Sequence, residues 1–186
     1  MRKLVAFSQI TLNGYFADAS GDMSWAHTDD AEFNAFVADN AKGGGTLLFG
    51  RVTYDMMASF WPTPLAKQTA PVVAERMNAL PKIVFSRTME SASWQNTRVV
   101  KGDIAAEVRK MKSEPGPGMA ILGSGSILSQ LALAAVIDEY QIVLNPLLLG
   151  KGKTLYEDMP GKLPLKLTST RTFPNGYLFL TYTPKG

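Results

Sequence analysis

Short β-rich runs occupy Lys3–Ser8, Thr46–Phe49, Lys82–Ser86, Thr97–Val100 and Met119–Leu122. Helical patterns of apolar and polar positions alternate with them over Asp30–Asn40, Val52–Phe60, Pro71–Leu80, Ile104–Lys112 and Ser126–Ala135. Such alternation predicts parallel strands joined by helical crossovers, so helices should cover both faces of the sheet. The last third changes character. Glu139–Leu144 reads as a further strand, and Lys166–Thr172 and Tyr177–Thr183 alternate around Phe173-Pro174-Asn175-Gly176, whose Asn-Gly pair signals a hairpin. The expected fold class is three-layer α/β: a mixed, mainly parallel sheet of about eight strands with helices on both faces and a C-terminal antiparallel hairpin. Gly43-Gly44-Gly45, Trp61-Pro62 and Pro115-Gly116-Pro117-Gly118 read as loops, and the length of 186 residues suits one domain over 1–186.

Composition narrows the chemistry. With 46% hydrophobic and 19% charged residues the chain should fold alone. It has no cysteine and one histidine, His27, which excludes a disulfide framework and a thiol nucleophile and leaves no zinc cage, so no metal site is expected. The formal charge of +3 comes from scattered Lys and Arg without a run of like charges, a bias toward small anionic ligands rather than nucleic acid. The N-terminal apolar stretch is too short for a signal peptide and none reaches membrane-spanning length, so the expected location is cytoplasmic, without a membrane partner.

Two glycine turns carry the strongest local signal. Met119-Ala-Ile-Leu122 is followed at once by Gly123-Ser124-Gly125-Ser126, after which Ile127, Leu128, Leu131 and Ala135 recur at helical spacing. A helix start of this kind carries unpaired N–H donors and the positive end of the helix dipole, and glycine lets a phosphate approach closely. The Ser124 and Ser126 hydroxyls could add donors. A plain tight turn capped by serine is the alternative. The nucleotide fingerprint of the Rossmann fold is disfavoured, because Leu128 stands where its third glycine would fall. The second turn, Phe49-Gly50-Arg51-Val52-Thr53, repeats the plan and adds a cation and a hydroxyl in the first helical turn. Arg51 opposes the dipole there, and a bound anion would relieve that conflict; an ion pair with a surface carboxylate would do the same. A third donor group, Ser86-Arg87-Thr88, follows the strand ending at Phe85.

Phe49-Gly50-Arg51-x-Thr53, Phe85-Ser86-Arg87 and Leu122-Gly123-Ser124-Gly125, in this order, resemble the dihydrofolate reductase fold family over roughly residues 3–183. The stretch from Asp138-Glu139 to Pro146-Leu-Leu-Leu-Gly-Lys-Gly152 is similar to the branch containing the reductase domain of bacterial riboflavin-pathway deaminase-reductases. The resemblance implies NADPH as cofactor: Gly50, Arg51 and Thr53 would face its phosphates, Ser86 and Arg87 the adenosine 2′-phosphate, and Gly123, Ser124, Gly125, Ser126 and Ile127 the pyrophosphate. It also implies a mobile active-site loop at Ser8-Gln-Ile-Thr-Leu-Asn-Gly14-Tyr15, a homodimer, and a substrate-binding carboxylate at Asp30, five residues after Trp25.

Spacing supports the choice of Asp30, since Asp30, Phe33 and Val37 share one helix face that would wall a substrate cleft. Asp29, three residues before Glu32, reads as the helix cap. Asp30 as an acid satisfying the helix dipole is the alternative to a catalytic role. Tyr54, Trp61 and Met56-Met57 could line a planar ring or belong to the core. His27 reads as a solvated loop residue, and Ile142–Leu149 as a buried strand or a subunit interface. The functional expectation is an NADPH-dependent reductase of a small nitrogen heterocycle of pterin or aminopyrimidine type, with Asp30 assisting protonation. The runner-up is a nucleotide-binding or sensor protein that keeps the fold without turnover.

Overall fold

The short apolar runs become the strands of one sheet and the periodic segments become helices. The computed structural model describes residues 1–42, 44–157 and 159–185; Gly43, part of the predicted glycine break, lies outside them. In chain order the elements are β1 (Leu4–Thr11), β2 (Ala17–Asp18), α1 (Ala31–Lys42), β3 (Thr46–Gly50), α2 (Arg51–Phe60), α3 (Pro64–Thr69), α4 (Pro71–Ala79), β4 (Lys82–Phe85) and β5 (Thr97–Val100). They continue with α5 (Ile104–Ser113), β6 (Met119–Leu122), α6 (Gly125–Leu133), β7 (Glu139–Asn145), β8 (Gly152–Lys153), β9 (Leu165–Thr172) and β10 (Leu178–Pro184), and a turn of 3₁₀ helix covers Ser24–Ala26.

Eight strands form the main sheet in the order β5-β4-β3-β6-β1-β7-β10-β9, and β2 pairs with β8 outside it. The pairs from β5 to β7 are parallel, and β10 runs antiparallel to both β7 and β9. Alternation along each strand separates the cores on the two faces. Leu4, Ala6, Leu48, Ile83 and Ile121 pack with Val108 and Met111 of α5 and with Ile127, Leu128 and Leu131 of α6. On the other face Leu47, Phe49 and Val84 pack with Tyr54 of α2 and Met77 of α4, and Val143 and Phe179 with Phe33 of α1. Ile142 to Asn145, left open between core and interface by the sequence, belongs to β7, paired on both sides, whereas Leu148 beyond it is 66% exposed. No helix among the described residues is long and apolar enough to cross a membrane.

In secondary structure the chain departs from the sequence reading at the end of β1 and at α3. Ser8–Thr11, expected in a mobile loop, extends β1, because β7 pairs with it up to Thr11. Helix α3 was not expected, although Thr63 caps it through its hydroxyl and Pro64 opens it. The predicted hairpin joins β9 and β10, its turn over Phe173-Pro174-Asn175-Gly176 closed by Gly176 (φ +83°) donating to the Phe173 carbonyl at 2.9 Å.

Lys82, the first residue of β4, is 1% exposed. Its ammonium donates to the carbonyls of Met77 (2.8 Å), Asn78 (3.0 Å) and Leu80 (2.7 Å), closing the C-terminus of α4, and lies 4.5 Å from the Trp94 ring centroid. Burial pushes its pKa down to about 8. Replacing Lys82 by Met removes the donor that the Met77 and Leu80 carbonyls share with that of Asn78, which keeps Gln95 Nε2 at 3.1 Å. The expected loss in urea unfolding is about 2–4 kcal/mol, and an unchanged midpoint would show the bonds to be dispensable.

Candidate functional site

The site begins where neighbouring strands send their helices to opposite faces. Strands β3 and β6 are adjacent and parallel, but α2 leaves β3 onto the face of α4 while α6 leaves β6 onto the face of α5. In open α/β sheets such a switch opens a crevice at the carboxyl ends of the strands, where ligands bind. Here the two turns are bound to each other. The Gly50 N–H donates to the Ser124 hydroxyl at 2.9 Å in a buried bond, and that hydroxyl donates to the Leu122 carbonyl at 3.2 Å. A Cβ at Gly50 would lie 3.0 Å from Cγ1 of Ile127, and one at Gly125 would lie 3.2 Å from the Leu155 carbonyl oxygen. Gly123 (φ +54°) and Ser124 (φ +66°) are both left-handed, which lets β6 turn into α6 without a spacer.

These contacts change the expected roles of individual residues. The Ser124 hydroxyl, read from the sequence as a phosphate donor, is engaged by Gly50 and Leu122. Ile127 is buried against Gly50, and its N–H, like that of Leu128, donates to the Ser124 carbonyl at 2.9 Å. What stays open is the rest of the helix start. No side chain caps α6 or α2, in contrast to α3 and α5, capped by Thr63 and Asp103. Among the described residues the N–H groups of Gly125 and Ser126 have no acceptor. Thr53 stands beside this opening, its Oγ1 3.7 Å from where a Cβ of Gly123 would be.

The predicted cations flank the crevice. Arg51 pairs with Asp55 one helical turn on, at 3.1 Å, with both side chains about half exposed (52% and 50%). Such an exposed pair is worth little and leaves the guanidinium accessible. At the end of β4 the Ser86 hydroxyl accepts from the N–H groups of Thr88 (3.3 Å) and Met89 (3.0 Å), and its own proton remains free to donate. Arg87 is exposed, has no ion pair among the described residues, and lines a cavity of about 550 Å³ with Gly102, Asp103, Ile104 and Gln130. Two uncapped helix starts, a hydroxyl and two available cations thus follow the carboxyl ends of the neighbouring strands β4, β3 and β6, a set of groups that fits a phosphorylated dinucleotide.

A second opening adjoins it. Strand β6 pairs with β1 only as far as Phe7 opposite Leu122, whereas β7 follows β1 to Thr11. The Phe7 carbonyl accepts from the Gly123 N–H at 3.2 Å, so odd-numbered residues of β1 turn their main chain toward β6. Gln9 is the next of these, and past Leu122 no strand among the described residues meets its N–H and C=O. Its side-chain Oε1 is buried without a donor, as is the Trp25 indole N–H without an acceptor. Gln9 was missed by the sequence reading, because a glutamine inside a strand carries no local signal.

Asp30, not Asp29, caps α1. Its Oδ1 accepts from the Phe33 N–H at 2.7 Å, its own N–H donates to Thr28 Oγ1 at 3.2 Å, and Glu32 instead pairs with Arg171 at 2.9 Å. Burial raises the Tyr177 hydroxyl pKa; a hydrogen bond to Thr28 opposes the rise and the nearby Asp30 charge adds to it. The Phe33 ring is enclosed by Phe173 and Tyr177, at centroid distances of 5.2 and 4.9 Å, and so lies beneath α1 rather than on an open wall. Tyr54 accepts from the Trp94 N–H at 2.9 Å and the Trp61 indole donates to Met57 Sδ at 3.0 Å, which places these rings in the core. His27 is exposed, its Nδ1 3.2 Å from the Ser24 carbonyl.

Sheet order and crevice define the dihydrofolate reductase-like class. The dihydrofolate reductase of Enterococcus faecalis, described as complexed with NADP(H), superposes with a TM-score of 0.68 over 99% of this chain and 97% of its own, at 16% identity. Within that class the chain belongs to the RibD C-terminal domain family, which it matches over residues 2–179. A putative riboflavin biosynthesis protein from Shewanella sp. PV-4 is 24% identical with a TM-score of 0.73, each chain covered to 99%. The diaminohydroxyphosphoribosylaminopyrimidine deaminase/5-amino-6-(5-phosphoribosylamino)uracil reductase of Thermotoga maritima gives 0.71 at 13% identity, with this chain covering 57% of it. Among sequences, the uncharacterized protein YyaP of Bacillus subtilis is 28% identical over 182 residues, 97% of this chain and 94% of its own.

The contact between the turns is directly testable. Gly50→Ala should cost about 1–3 kcal/mol of stability by overpacking against Ile127. In an Ile127→Ala background the same change should cost less, read as a coupling in a thermal-unfolding double-mutant cycle. Additive losses would show that the turns do not touch in solution.

Proposed function

We propose that this chain is an NADPH-dependent reductase of a small nitrogen heterocycle of pterin or aminopyrimidine type. One observation carries the reading: two uncapped helix starts pinned side by side, with Arg51 and Arg87 at their rim, next to an unpaired stretch of β1. Membership of the RibD C-terminal domain family and the likeness in fold to reductases support it. The N–H groups of Gly125 and Ser126 and the first turn of α2 with Thr53 would hold the diphosphate. Ser86 and Arg87 would hold the 2′-phosphate, and the Gln9 main chain offers the donor and acceptor that a nicotinamide carboxamide needs. When bound, the coenzyme supplies hydride.

The protein's own part in such chemistry is to orient a ring and hold a proton. Asp30 has one oxygen engaged by the helix, and no bond to the other is recorded among the described residues. That free oxygen would accept from an amino-substituted ring and keep a proton close to it. A second reading, a nucleotide-binding sensor without turnover, is favoured by the capping role of Asp30.

Titration with NADPH should give saturable quenching or enhancement of its fluorescence; absence of binding at millimolar cofactor would remove the reading. Arg87→Gln should weaken NADPH by about 10- to 100-fold, the worth of one charge-assisted hydrogen bond, and leave NADH nearly unaffected. Equal losses for both would remove the 2′-phosphate assignment. Asp30→Asn separates cap from catalyst, because Asn caps a helix as well as Asp. Stability should hold while NADPH oxidation with a heterocycle panel falls by about 100-fold or more. Oxidation unchanged by the substitution would remove Asp30 from the chemistry.

A further inference from the structure

Between Ser8 and Thr11, β1 has β7 on one side and, among the described residues, no strand on the other. Gln9 lies in the middle of this stretch. Phe7 packs with the cluster of Phe33 and Val143, while Ala6 and Ile10 pack in the opposite core. Side chains alternate along a strand, so the Gln9 carboxamide leaves the sheet on the α1 face, the face of Asp30's helix. There its Oε1 is buried and receives no hydrogen bond, and its Nε2 makes none among the described residues.

A buried amide oxygen without a donor is unfavourable, and Met or Leu would fill similar space without that cost. Such a group at the edge of a ligand crevice has its partner outside the chain. A primary carboxamide presents an acceptor and donors side by side, and the ring edge complementary to it is a lactam, a C=O next to an N–H. We propose that Gln9 is a specificity-determining residue of the substrate site, its carboxamide reading a lactam edge of the heterocycle. The inference rests on the proposed reductase function, in which the Gln9 main chain faces the coenzyme and its side chain the second ligand. A site built to hydrogen-bond such an edge rejects an analogue that lacks it far more strongly than an apolar pocket does.

The test uses the whole chain, with pterin and 3-methylpterin as probes, their binding measured by calorimetry at saturating NADPH. NADPH affinity and ligand-free thermal unfolding are measured separately. Wild type should bind pterin at least about 10-fold more tightly than 3-methylpterin. Gln9→Met, which keeps the volume and removes the amide, should weaken pterin by about 10- to 100-fold, abolish the discrimination, and leave NADPH within about twofold. Its unfolding midpoint should stay level or rise, since an unpaired buried amide is removed; Gln9→Leu provides the same comparison with a second shape.

Discrimination that survives in the variants, or is absent from wild type, overturns the proposal. So does a midpoint lowered by about 4 °C or more in both variants, because the amide would then be satisfied within the fold, for example by an ordered water. NADPH binding without lactam discrimination removes this inference alone, whereas a wild type that does not bind NADPH removes the proposed function with it.

Discussion

The buried bond from the Gly50 N–H to the Ser124 hydroxyl joins positions 74 residues apart, and the shape of the crevice depends on it. Strands β3 and β6 send their helices to opposite faces, and this contact, with the packing of Gly50 on Ile127, holds the two turns against each other at the carboxyl ends of the strands. It has a second effect. Ser124 occupies the N-cap position of α6, where a serine hydroxyl ordinarily accepts from the helix's own first N–H groups. With its hydroxyl engaged by Gly50 and Leu122, that cap is not made. The helix start is left with open donors and an uncompensated dipole, the local conditions for binding an anion.

A difference in strand length supplies the other half of the site. Because β6 stops pairing at Leu122 while β1 and β7 continue to Thr11 and Asn145, the sheet opens just beyond the glycine turn. The open start of α6 and the unpaired main chain of Gln9 thus adjoin at the carboxyl end of β6, the arrangement on which the proposed coenzyme site rests. Arg51 and Arg87 add charge from the next strands of the sheet. The strand pairing opens this geometry, and the turn at Gly123-Ser124 completes it.

Much of the fold was legible because its determinants are local. Thr46–Phe49, Lys82–Ser86 and Met119–Leu122 are apolar runs bounded by turn residues, and parallel strands buried on both faces read that way. The family resemblance assigns the Ser8-Gln-Ile-Thr stretch to a mobile loop, whereas it is a strand with one neighbour among the described residues instead of two. The spacing to Glu32 points to Asp29 as the cap, but the cap is Asp30, whose Oδ1 accepts from the Phe33 N–H while Glu32 turns to Arg171. The glycine turns were visible in sequence, but the reason for two of their glycines was not. Gly50 and Gly125 avoid Ile127 and the Leu155 carbonyl, long-range approaches that no local pattern encodes. The same holds for Ser124, whose hydroxyl faces a partner distant in the chain, and for Gln9, whose unpaired amide is evident only once its burial is known.

The central claim is that the pinned helix starts and the open edge of β1 form one dinucleotide site. Amide chemical shifts of the ¹⁵N-labelled protein titrated with NADPH test it most directly. The account predicts that the largest changes fall on Gly125, Ser126, Arg51, Val52, Thr53 and Gln9, saturating together. Saturable changes confined to other surfaces, with these amides unmoved, would contradict it.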